Sequence, residues 1–150
     1  MTDTARPPLE TRLGPLTLSY PLINASGTFD LFALAEAFGP DVLVDPPVAA
    51  YVPKTITVDP RRGNPSPRLL EAPSGLVNAI GLANEGWEAF ATAQLPRLLA
   101  LPCPVIISIG GFSPDEYMTL AQALREALEK RDAATAGEQG GRGAGPLTEP

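Results

Sequence analysis

Three short apolar runs, each followed by a polar or glycine-rich step and then by a helix-like segment, constrain this chain more than any other feature. Pro21-Leu22-Ile23-Asn24 closes on Ala25-Ser26-Gly27, Val48-Ala49-Ala50-Tyr51-Val52-Pro53 leads into Lys54-Thr55, and Pro104-Val105-Ile106-Ile107-Ser108-Ile109 ends at Gly110-Gly111. Between and after them lie Leu31–Phe38, stopped by Gly39-Pro40, a helical segment opened by Asn84-Glu85-Gly86 and interrupted at Pro96, and a long helical run from Pro114 to about Lys130. Strands alternating with helices indicate an α/β fold with a parallel sheet. The spacing predicts strands near 22–25, 49–53 and 105–109, and helices near 30–38, 86–95 and 114–130. Either an open doubly wound sheet or the start of a (β/α)₈ barrel fits this order. In both, ligands bind at the strand ends where the polar residues cluster.

Local signals refine the boundaries. Residues 11–19, with Gly14-Pro15 between two short extended arms, read as a hairpin lying outside the parallel sheet. Asn84 is placed to cap the second helix, and Pro96 is expected to end it. Ser113, Pro114 and Glu116 form a capping-box pattern ahead of the third helix. Residues 58–83 form a long Pro- and Gly-rich connection, a length that in a compact domain marks a binding loop or lid, with disorder as the alternative. The composition changes sharply near Lys130, so residues 1–131 read as one partial α/β domain and 132–150 as a disordered, low-complexity tail.

Composition excludes several chemistries. With no histidine and a single cysteine, Cys103, the chain offers no His-based metal site, no Ser-His or Cys-His pair and no internal disulfide. A lone cysteine fits a reducing cytoplasm. The formal charge of −6 disfavours a nucleic-acid surface, and no apolar run is long enough to span a membrane. Cys103 lies between Pro102 and Pro104, ahead of the third strand and at the far end of the sheet from the polar edge. It reads as a small, buried or half-buried filler.

Taken together, Asn24-Ala25-Ser26-Gly27-Thr28-Phe29, Lys54-Thr55, the stretch Gly63-Asn64-Pro65-Ser66-Pro67-Arg68 and Asn78-Ala79-Ile80-Gly81-Leu82 stop being generic. In order and spacing they resemble the opening of class 1 dihydroorotate dehydrogenases, over about residues 11–125. That resemblance implies the N-terminal part of a (β/α)₈ TIM barrel with three βα units, binding FMN. It implies FMN contacts at Ser26, with the Ala25 and Gly27 backbone, and at Lys54 and Thr55. Lys54 would also reach the substrate, together with Asn78, Ala79, Ile80, Gly81 and Leu82. The implied reaction is oxidation of dihydroorotate to orotate in UMP biosynthesis. A homodimer is one assembly the resemblance allows. A second, for the 1B subtype, is a complex with an electron-transfer subunit carrying FAD and an iron–sulfur cluster; the 1A subtype would instead use fumarate at the FMN, and the sequence does not separate the two. Where the family usually places an Asn against FMN, this chain has Ser108. The family's general base, a cysteine after strand four, lies beyond residue 150, so no catalytic base is expected here. A non-catalytic truncated product and a related flavin barrel acting on other pyrimidines are the competing readings.

Overall fold

The structure, a computed structural model, describes residues 9–140. Two antiparallel arms come first, β1 (Thr11–Leu13) and β2 (Leu16–Leu18), turning at Gly14, whose φ of 57° suits a residue without a Cβ. Leu16 and Leu18 of this hairpin pack on Ala49, Ala50 and Ile106, near the starts of the second and third extended segments. The hairpin therefore closes one end of the sheet and stays outside it, as its turn signal predicts.

The three expected strands are present as extended segments joined by parallel bridges, with the second in the middle. Ile23 bridges Ala50, Tyr51 bridges Val105, and Ile56 bridges Ile109, all parallel. The pairing breaks at Pro53, which has no N–H to give, and resumes at Ile56, whose N–H donates to the Ser108 carbonyl at 3.0 Å. On the opposite edge of the second segment, facing the first, the Asn24 carboxamide acts as a piece of strand. Its Oδ1 accepts from Val52 N at 2.8 Å and its Nδ2 donates to the Val52 carbonyl at 2.7 Å. This explains why a polar residue only 8 % exposed is tolerated at that position.

Helices cover one face of the sheet. α1 (Leu31–Phe38) begins at Asp30, whose Oδ1 accepts from Phe32 N and Ala33 N, and ends at Gly39. A short α2 follows at Asp41–Val44. The next helix runs through α3 (Gly86–Ala89), a π-helical turn at Phe90–Gln94 and α4 (Leu95–Leu98). Pro96 was expected to end it; instead it sits in the first turn of α4, where a missing donor costs nothing. α5 starts at Pro114 and runs to Gly140. Ser113 Oγ accepts from Glu116 N at 3.3 Å, while the Glu116 carboxylate reaches past the cap to Phe112 N, a variation on the expected box. Of the tail at 132–150, residues 132–140 continue α5, helped by Ala133 and Ala134, and 141–150 lie outside the described residues.

The core joins the two layers. Val48, Tyr51 and Ile56 of the sheet meet Leu31, Phe90, Leu95, Leu98 and Leu120 of the helices. Side chains on alternate positions point away from the helices, and they include Thr55, Ile106 and Ser108. Tyr51 ties the strand to the loop above it: its hydroxyl accepts from Leu31 N at 3.3 Å and donates to the Phe29 carbonyl at 3.4 Å. Burial and the nearby Asp30 carboxylate raise its pKa above the ordinary phenol value. Tyr51→Phe should lower stability by about 1 kcal/mol, because Leu31 N loses its acceptor in a buried place. Urea unfolding of the two proteins measures this.

The connection at 58–84 holds a hairpin that the sequence did not disclose, as it did not disclose the short α2. β3 (Leu69–Ala72) and β4 (Gly75–Asn78) form a second antiparallel hairpin turning at Pro73-Ser74, exposed along its length.

Candidate functional site

At the polar ends of the three segments the hydroxyls of Ser26, Thr55 and Ser108 form a continuous row. Ser26 Oγ donates to the Pro53 carbonyl at 2.9 Å and lies 2.9 Å from Thr55 Oγ1, which lies 2.8 Å from Ser108 Oγ. Each strand contributes one member, so the row exists only because three βα units set their ends side by side. Ser108 was the position at which the sequence departs from the expected Asn. Its shorter side chain is not idle, since it holds the Thr55 hydroxyl.

Lys54 points to the other face of its strand. Its side chain lies over Gly27, where a Cβ would come within 3.0 Å of Lys54 Cδ and 3.3 Å of Nζ. Gly27 also has φ +70°, so two independent constraints keep that position free of a side chain. The ammonium lines a cleft of about 340 Å³ between α1 and α4, with Phe29, Asp30, Tyr51, Gln94 and Arg97 around it. The Asp30 carboxylate there is engaged in capping α1, and Lys54 makes no ion pair among the described residues. Arg97 stacks on the Phe32 ring at 3.9 Å. The cleft thus holds a lysine with no ion pair among the described residues, packed on a glycine that leaves room for its stem.

The stretch 78–82 is built against the segment that precedes the hairpin. Ala79 N donates to the Arg68 carbonyl, Asn64 N to the Ile80 carbonyl, and Asn64 Nδ2 to the Ala79 carbonyl. Arg61 Nε reaches the Gly81 carbonyl, and Arg61 also stacks on the Phe112 ring at 4.4 Å. Leu82 arrives at the strand ends, where a Cβ on Gly110 would meet Thr55 Cγ2 at 3.0 Å and Leu82 Cδ2 at 3.3 Å. Its φ of 56° is a strained conformation for leucine. Asn78 stays exposed at the end of β4, and no hydrogen bond among the described residues joins residues 78–82 to Lys54. The structure thus gathers Ser26, Thr55, Ser108 and Leu82 at one edge, sets Lys54 beside Gly27, and leaves Asn78 apart.

Asn84 is a residue whose weight the sequence understated. Its Oδ1 accepts from Gly86 N at 2.9 Å and Thr57 N at 3.1 Å, and its Nδ2 donates to Thr57 Oγ1 and the Leu82 carbonyl. The capping position of α3 itself falls on Glu85, so Asn84 closes an Asx-type turn one residue earlier than a cap would. A lone Asn two residues before a Gly is too common a pattern to announce this role. Cys103 is half-buried against the core, and burial pushes its thiol pKa up, which leaves little thiolate at neutral pH.

The family model described as Dihydroorotate dehydrogenase matches residues 8–131. The chain belongs to the dihydroorotate dehydrogenase family. Its three βα units are the N-terminal part of that family's (β/α)₈ barrel. Among relatives, the dihydroorotate dehydrogenase B (NAD(+)) catalytic subunit of Trichlorobacter lovleyi is 40 % identical over 119 residues, covering 79 % of this chain and 38 % of its own length. The catalytic subunit of the same name from Desulforudis audaxviator is 46 % identical over 109 residues, covering 73 % and 34 %. A solved structure of a dihydroorotate dehydrogenase in complex with ferulenol, from Eimeria tenella, superposes with a TM-score of 0.49 at 18 % identity, covering 85 % of this chain and 46 % of that one. The chain therefore spans a little over a third of the dihydroorotate dehydrogenase relatives it matches in sequence. Among the described residues no helix is long and apolar enough to cross a membrane.

Proposed function

We propose that this chain supplies the flavin- and substrate-facing first third of a class 1B dihydroorotate dehydrogenase, an FMN-dependent oxidoreductase acting on a CH–CH group. The whole protein would oxidise dihydroorotate to orotate for UMP biosynthesis in the cytoplasm. The observation that carries this reading is the convergence of Ser26, Thr55 and Ser108 at one strand edge, with Lys54 next to Thr55 at the end of the same strand. The names of the relatives support the 1B subtype, in which electrons leave through a partner subunit holding FAD and an iron–sulfur cluster.

These residues fit an isoalloxazine ring. Gly27 gives the Lys54 side chain room to pack closely, the hydroxyl row would provide hydrogen bonds at the ring edge, and Lys54 is a cation with no ion pair among the described residues. Bound FMN would supply the hydride acceptor. Ser26 and Thr55, with the Ala25 and Gly27 backbone, would hold the ring. Lys54 would offset negative charge on the reduced ring or on the carboxylate of dihydroorotate. Residues Asn78 to Leu82 would pair with the amide groups of the substrate, for which an Asn carboxamide offers one donor face and one acceptor. The general base would come from outside these 150 residues, and a homodimer is the expected assembly of the catalytic chain.

The test uses the full-length protein, purified with FMN and titrated without oxygen. Dihydroorotate should bleach the flavin, whereas dihydrouracil, which lacks the carboxylate, should not. Bleaching by dihydrouracil in preference to dihydroorotate would favour a flavin barrel acting on other pyrimidines.

A further inference from the structure

Proton bookkeeping along the hydroxyl row fixes its direction. A carbonyl can only accept, so the single proton of Ser26 Oγ is given to Pro53 at 2.9 Å. Ser26 must then accept in its 2.9 Å contact with Thr55, which uses the Thr55 proton. Thr55 must in turn accept in its 2.8 Å contact with Ser108, which uses the Ser108 proton. Among the described residues no N–H or O–H donates to Ser108 Oγ. The open end of the row therefore has lone pairs to offer and no proton.

We infer that Ser108, Thr55 and Ser26 act as one proton-ordered chain whose open end accepts a hydrogen bond from a ring N–H of the bound flavin, favouring the reduced ring over the oxidised one. The ligand half rests on the flavin reading above; the ordering of the hydroxyls does not. A free serine can donate or accept at will. Here Thr55 removes that choice, and the carbonyl of Pro53, two residues back on the same strand, sets the sign. Two-electron reduction adds an N–H to the flavin ring, so an end that only accepts discriminates between the redox states. An Asn at position 108 would bring a donor and an acceptor together and lose that bias. Ser26 and Thr55 thus gain a second task, as positioning residues for Ser108.

Two measurements on the full-length protein test this. The first is made without flavin: urea unfolding of wild type, Ser26→Ala, Ser108→Ala and the double variant. Ser26 and Ser108 do not touch, but each sets the Thr55 proton. The cost of Ser108→Ala should therefore change by about threefold in the unfolding constant when Ser26 is already alanine. Strict additivity overturns the ordered chain, whatever the protein binds. The second is the FMN midpoint potential. Ser108→Ala and Thr55→Val should each lower the ratio of reduced to oxidised FMN affinity about tenfold, a fall of about 30 mV for a two-electron couple. Thr55→Ser, which keeps the link, should restore the wild-type value. Non-additive unfolding with an unmoved potential overturns the ligand half and upholds the chain. Failure of the wild-type protein to bind FMN overturns the flavin reading, and the ligand half with it, while the unfolding cycle still decides the ordering.

Discussion

Mixed with FMN and dihydroorotate in the absence of oxygen, the 150-residue chain alone should leave the flavin oxidised and largely unbound. Three βα units cannot close an eight-stranded barrel. Ile106 N and Gly110 N of the third segment donate to Tyr51 and Ile56, and Ile56 N and Tyr51 N donate back to Ser108 and Pro104. Among the described residues nothing pairs with the other edge of that segment. That edge runs through Val105, Ile107 and Ile109, uncharged and β-branched, so it should associate with copies of itself. The expected general base is absent as well, and such a base is worth roughly a hundredfold to ten-thousandfold in rate. Gel filtration should show concentration-dependent assembly, and the absorbance of oxidised FMN should persist. Stoichiometric bleaching by the isolated chain would place the catalytic machinery within these residues.

In the full-length protein, Lys54→Ala should weaken FMN retention and slow flavin reduction by about a hundredfold. Lys54 is exposed and unpaired among the described residues, so its loss removes a charge without breaking a folded contact network. Its aliphatic stem does lie against Gly27, and Lys54→Met keeps that contact while removing the charge. Both variants should fold. If charge is what matters, they should be equally slow, since removing an electrostatic group aimed at developing charge typically costs a hundredfold or more. Stopped-flow reduction by dihydroorotate separates the outcomes. Wild-type rates in both would take Lys54 out of the site.

The parallel framework was legible because its signals are local and redundant. Gly39-Pro40 stops α1 at the expected residue, and the run Val105 to Ile109 can hardly be anything but a strand. Ser26, Thr55 and Lys54 were singled out only through their company, since none of those short motifs is distinctive alone. The direction of the hydroxyl row was not legible, because it depends on distances between residues 29 and 53 positions apart. The hairpin at 69–78 escaped notice for another reason. Leu70 and Val77 face one side of it and Leu69 and Leu76 the other, so neither side alternates with polar residues and the period-two signature is missing. The two-residue turn at Pro73-Ser74, followed by Gly75, was the clue available. Pro96 misled because a π-helical turn just ahead of it lets the helix restart with proline in its first turn.

Arg61 and Asn84 exchange backbone hydrogen bonds at 2.8 and 3.0 Å, which seals the neck of the whole 58–84 excursion. Above that seam the polypeptide is a stem-loop, in the sense familiar from nucleic acids. Its length is bookkept inside the stem, and the entropy of everything above the neck no longer enters the closure of the barrel strands on either side. Lengthening or shortening the tip at Pro73-Ser74 therefore leaves Thr57 and Gly86 clamped by Asn84 as before. Such a seam lets one part of an enzyme drift in sequence and size while the strand ends beside it stay fixed. It is the natural place for members of one family to become different from one another.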